Sequence, residues 1–327
     1  MILNLILKFC LGFCLSTIVM FFWIRKKVFS ERIRKELLHL SFKEGTPSAA
    51  GLGFSLVSIF VFFITNKCFS MEVIILLCVV LLSLTFGFID DLYKKTTGEG
   101  LQERTMITIQ FLIGLIPTIF NYYHKQTFLK IPLFSFLKIN LGFFYIPLIS
   151  FFVFAGTLNG TGLTDGINGG LAVPTIIGFL SILIHFLLSI YYLPNFLISI
   201  DLFPIMNFLI IFIGSLFGFL IFNLRGKVFM GNTGSMTIGS IFATICILTK
   251  CEIPLIFLGL LYVIETLSVI LQIFWIKKFK KKLILFSPIH HHFELLKYSW
   301  FSILSMMTLT SIVGSILYLI TTYFVIL

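Results

Sequence analysis

Three of the chain's four aspartates, Asp90, Asp91 and Asp165, fall in short polar segments between long apolar runs. Asp90 and Asp91 are adjacent in FGFIDDLYKK (86–95), just ahead of Lys94 and Lys95. Paired carboxylates suit Mg²⁺, which takes one or two of them and fills its other positions with water and substrate phosphates. Asp165 lies in LNGTGLTDGINGG (158–170), where the glycines from Gly160 to Gly170 let the backbone approach a ligand, and Asn159 and Asn168 share the segment. VFMGNTGS (228–235) centres on Asn232, a neutral amide where a cation would prefer a carboxylate. Backbone N–H groups at the start of the apolar run that follows would suit a phosphate oxygen. SPIHHHFE (287–294) carries His290, His291 and His292. Adjacent imidazoles do not easily face one ion and no second Cys or His cluster completes a tetrahedral site, so hydrogen bonding to phosphate or nucleotide is favoured over zinc. Lys43 lies just ahead of GTP, with Glu44 between, in FKEGTPSAAG (42–51). Each motif has a plain structural reading, as a helix cap, a turn or a solvated charge. Together they call for a substrate that is both phosphorylated and membrane-bound, and phosphoryl transfer to a lipid is the simplest such reaction.

The elements that must position these residues are set by hydropathy. The chain has 327 residues, 58% hydrophobic and 11% charged, with mean hydropathy +1.09, far from the usage of soluble domains. The expectation is an all-α integral membrane protein forming one polytopic domain. Ten spans are expected near 2–24, 49–66, 71–89, 105–122, 143–158, 171–192, 203–222, 234–250, 254–276 and 301–325. The first run ends in WIRKKVF and reads as a retained anchor. The net charge of +11 is unevenly placed: all but six of the 24 Lys and Arg, namely Lys8, Lys67, Lys125, Lys130, Lys138 and Lys250, fall in loops after odd-numbered spans. The positive-inside rule makes that face cytoplasmic and the N-terminus external. The charge therefore points to anionic lipid and phosphorylated substrates, not nucleic acid. Every acid-bearing or glycine-rich motif lies on the same face, which favours one site over a transporter or channel. Within the spans, His185 and Glu265 read first as packed, hydrogen-bonded residues. No pairing of the six cysteines is assigned.

These motifs resemble the phospho-N-acetylmuramoyl-pentapeptide transferases of bacterial cell-wall synthesis, within the polyprenyl-phosphate sugar-1-phosphate transferases. The likeness runs from about residue 41 to 297: EGTPSAAG, FGFIDDLYKK, NGTGLTDGING, VFMGNTGS and PIHHHFE follow the family's GTPTMGG, FGFIDDYxK, NAxNLTDGLDG, VFMGDTGS and PIHHHFE in order. The resemblance implies a ten-helix fold of the bacterial inner membrane, usually dimeric, with its active site facing the cytoplasm. It implies an enzyme that joins UDP-N-acetylmuramoyl-pentapeptide to undecaprenyl phosphate with Mg²⁺, forming lipid I and UMP. It would give Asp90, Asp91 and Asp165 catalytic work and, with Asn232, the metal. It would give Lys43, Thr46, Lys94, Asn159, Gly166, Asn168, Asn223, Phe229, His290, His291 and His292 to substrate. Asn232 and Asn168 stand where the family has Asp, Gly162 where it has Asn, and Met106 where it has a loop Lys. The alternatives are a catalytically impaired paralogue that binds lipid-linked or nucleotide precursors, and a related transferase using another UDP-sugar.

Overall fold

Backbone polar groups in hydrocarbon must find partners within their own segment, and helices supply them. The computed structural model describes residues 2–30, 45–132, 138–192 and 201–326. Among these, the regular elements are helices apart from one small hairpin and an isolated bridge between Ser30 and Pro47. Helices α1 (Ile2–Arg25), α2 (Gly51–Thr65), α3 (Met71–Thr97) and α4 (Glu103–Tyr123) precede strands β1 (Phe128–Lys130) and β2 (Lys138–Asn140), antiparallel with Leu129 opposite Ile139. Then follow α5 (Gly142–Thr164), whose stretch Ile149–Ala155 is wound as π-helix, α6 (Ala172–Tyr192), α7 (Leu202–Asn223) and α8 (Gly231–Leu248). The short α9 (Pro254–Leu258), α10 (Leu260–Phe279), the short α11 (Ile289–Leu295) and α12 (Trp300–Ile326) complete the order.

Nine helices among the described residues are long and apolar enough to cross a membrane. The apolar run near 49–66 forms only the 15-residue α2, about 22 Å of rise against a hydrocarbon core of about 30 Å. Backbone breaks bound it: Ala49 has φ 55° and Asn66 is extended. The Asn66 side chain then accepts from Lys8 Nζ at 2.9 Å and Asn207 Nδ2 at 3.0 Å, so this polar end is held inside the bundle.

Three segments read as loops from their glycines and acids are partly helical. Capped by Ser70, α3 continues through Asp90, Asp91, Lys94 and Lys95 before Gly98 closes it at φ 83°. Asn159 to Thr164 form the last turns of α5, and α8 begins at Gly231, so Asn232 and Thr233 lie in its first turn. The apolar flanks carry helix across these residues, and that sets which side chains share a face.

The most enclosed span is α8, packed against α2, α3, α4 and α5. At its far end from Asn232, Lys250 donates to Glu252 at 2.6 Å and to the Tyr145 hydroxyl at 2.9 Å. Burial pushes the Lys250 ammonium below its ordinary range, with Glu252 opposing. All six cysteines are free. His185, as its position suggested, is packed: Nδ1 lies 2.8 Å from the Tyr318 hydroxyl.

Candidate functional site

The adjacent aspartates do different things. Asp91 turns towards α8 and accepts from Asn232 N at 3.0 Å, Thr233 N at 2.9 Å and Thr233 Oγ1 at 2.5 Å. The residue preceding α8, Met230, offers no side-chain cap, so a carboxylate from α3 caps α8 from outside and faces the positive end of its dipole. Gly231, at φ 70°, is required there because a Cβ would collide with the Asp91 carboxylate. The helix expected near 234 begins earlier, at Gly231, and of the N–H groups at its start those of Asn232 and Thr233 are occupied by Asp91 rather than open to a phosphate oxygen.

Asp90 faces the other way, into a cavity of about 620 Å³. Its Oδ1 accepts from Leu101 N at 2.7 Å, and its Oδ2 accepts from Asn232 Nδ2 at 2.6 Å and from Lys94 Nζ at 2.9 Å. Lys94 lies one turn on from Asp90, which is why the helical continuation of α3 matters. The cavity is also lined by Asp165, Asn159, Gly166, Asn232 and His291. Asn159 Nδ2 donates to Gln110 Oε1 at 2.6 Å, tying α5 to α4. Ile270 and Ile273 of α10 form part of the wall and are half exposed on the apolar outer surface. Gly162 and Met106, two of the departures from the family pattern, line the cavity as Asn232 does.

Other candidates stand behind this wall. Asn223 is buried and braces two segments, its Oδ1 accepting from Gly169 N at 2.7 Å and its Nδ2 donating to Val228 O at 2.8 Å. Phe229 is joined to the segment holding Thr46: Phe229 N donates to Pro47 O at 2.8 Å and Ala50 N donates to Phe229 O at 3.1 Å. Asn168 receives Trp300 Nε1 on its carbonyl at 2.9 Å. Among the described residues, Thr46, Asn168, Asn223, Phe229, His290 and His292 do not line the cavity. Lys43 lies outside the described residues.

The three imidazoles separate as well. His290 is buried with Nδ1 3.1 Å from Glu265 Oε2. His291 reaches the cavity with Nδ1 2.5 Å from Glu294 Oε2. His292 Nδ1 accepts from Leu285 N at 3.3 Å. Glu265, read from sequence as a packed residue, thus has a named partner on a motif it touches only in the fold. No local pattern announced that pairing.

Among the described residues no three of His, Cys, Asp and Glu are gathered to hold a metal. The cavity still offers two carboxylates, from Asp90 and Asp165, and the Asn232 amide beside Asp90. That donor set suits a hard divalent cation that leaves positions for water and phosphate.

The family model for glycosyl transferase family 4 matches residues 73–250, the stretch holding Asp90, Asp165 and Asn232. The chain is 34% identical over 305 residues to the phospho-N-acetylmuramoyl-pentapeptide-transferase of Campylobacter curvus, covering 88% of this chain and 85% of that one. It is 38% identical over 284 residues to the enzyme of that name from Staphylococcus epidermidis, covering 83% and 84%. With the one from Wolbachia pipientis it shares 35% over 288 residues, 85% of each. Family match, relatives and all-helical membrane architecture agree, and the chain belongs to the phospho-N-acetylmuramoyl-pentapeptide transferase family.

Proposed function

We propose that this chain transfers phospho-N-acetylmuramoyl-pentapeptide from UDP to undecaprenyl phosphate, forming lipid I and releasing UMP. The observation that carries this reading is the convergence of Asp90, Lys94, Asp165, Asn232 and His291 on one cavity whose wall also includes lipid-facing isoleucines. That pairing of polar floor and apolar side suits a reaction between a nucleotide-linked phosphate and a prenyl phosphate.

The lipid phosphate attacks the sugar-linked phosphorus in line. A phosphorus–oxygen bond forms to the lipid, the pyrophosphate bond breaks, and UMP leaves with the bonding pair. A phosphate monoester has its second pKa near 6, so the nucleophile is largely ionised near neutral pH and needs no protein base. Lys94 supplies positive charge where the leaving phosphate gains negative charge. Asp90, held by Leu101 N and Asn232, keeps Lys94 in place across one helical turn. Mg²⁺ is the cation we assign; Asp90, Asp165 and the Asn232 amide oxygen would hold it, and it would offset the charge of the pyrophosphate. Asp91 serves this site from behind, by fixing the helix start that carries Asn232. Lys43, Thr46, Asn159, Gly166, Asn168, Asn223, Phe229 and the three histidines are proposed to bind or brace the substrates. The site faces the cytoplasm, the N-terminus is external, and the chain works as a homodimer in the bacterial inner membrane.

The test is UMP release by purified protein given undecaprenyl phosphate and UDP-N-acetylmuramoyl-pentapeptide, with each substrate omitted in turn. Release is expected only with both. Nucleotide binding without release would replace this reading by a catalytically impaired paralogue.

A further inference from the structure

Glu265 sits within α10 at 1% exposure, where a carboxylate needs a partner. The partner arrives from α11: Oε2 lies 3.1 Å from His290 Nδ1 and 3.5 Å from His290 N. A carboxylate at one ring nitrogen fixes the imidazole's tautomer and orientation. Here the carboxylate lies at Nδ1, which favours a proton there, and Nε2 is turned to the opposite side. On that side is Gly166, where an added Cβ would collide with Nε2. His290 is itself 1% exposed, and Nε2 is a buried nitrogen without a hydrogen-bond partner. In front of it lies the Asp165–Gly166 turn, which lines the cavity. The neighbouring ring of His291, with centroids 4.1 Å apart, is held by a different carboxylate, Glu294.

We propose that Glu265 is a positioning residue for the transfer reaction: it holds the His290 ring so that Nε2 backs the Asp165–Gly166 turn and sets where Asp165 meets the substrate. The inference rests on the transferase reading, and its test also has a readout that does not. Glu265→Gln retains an oxygen that accepts from Nδ1–H, whereas Glu265→Met fills similar space with no such acceptor. In the full chain, Glu265→Met should lower kcat for UMP release on the order of 10- to 100-fold, the size of loss that follows removal of the carboxylate partner of a metal-ligating histidine. Glu265→Gln should recover most of it, and Glu265→Met should cost nothing further in a His290→Ala background. In ¹⁵N spectra of the His290 ring, native protein should show the proton on Nδ1 and Glu265→Met a mixture of tautomers. An equal loss of kcat in the His290→Ala background would overturn the proposal. So would identical ring spectra for native protein and Glu265→Met, whether or not the protein turns over. Absence of UMP release by native protein, with the tautomer shift present, would instead count against the transferase reading alone.

Discussion

Asn232 shows how much one amide changes at this site. Its Nδ2 donates to Asp90 at 2.6 Å, so the residue that stands in place of the family's acid joins Asp90 by a hydrogen bond where two carboxylates would repel. Asp90 is therefore partnered by Leu101 N, the Asn232 amide and Lys94, and a divalent ion meets less negative charge at residue 232 than a carboxylate would supply. Asn232→Asp should lower the Mg²⁺ concentration for half-maximal UMP release by about tenfold, since ligand charge tunes such sites. In chelator the same variant should melt below the native chain and recover when Mg²⁺ is added. A variant with unchanged Mg²⁺ dependence in both assays would refute this account of residue 232. The amide was legible in the sequence as a departure. Its bond to Asp90 was not, because the two residues are 142 positions apart.

At the scale of elements, the decisive feature is a cap supplied from another helix. Asp91 satisfies the first N–H groups of α8 from α3, so the start of α8 depends on where α3 ends. Asp91→Ala should destabilise the protein by about 1–2 kcal/mol through the lost cap. It should also lower activity, because Asn232 loses its anchored turn. Thermal unfolding and UMP release of the same preparation check both; a native melting temperature with activity lost would point instead to a direct catalytic role. Here the sequence misled in an instructive way. Glycines in NGTGLT and GNTGS suggested loops, yet the apolar residues around them carry α5 and α8 through both strings. Helix ends depend on tertiary partners such as Asp91 as much as on local propensity.

For the whole molecule, composition settled the class, since spans of this length and apolarity leave helices as the way to satisfy the backbone. It did not show that α2 would stop at 15 residues, because that limit comes from two local backbone breaks and from the Lys8–Asn66–Asn207 contacts. The uneven placement of Lys and Arg predicts an orientation. A membrane-impermeant thiol reagent should label Cys68, which is exposed, in intact cells, whereas a cysteine introduced at Lys95 should react only after permeabilisation. The opposite pattern would invert the proposed topology.

The most direct measurement is product analysis on the purified chain in lipid vesicles with both substrates and Mg²⁺. The account predicts lipid I and UMP appearing in equal amounts, with both lost in Asp165→Asn that melts like the native protein. UMP without a lipid-linked sugar phosphate, or full turnover by Asp165→Asn, would contradict it.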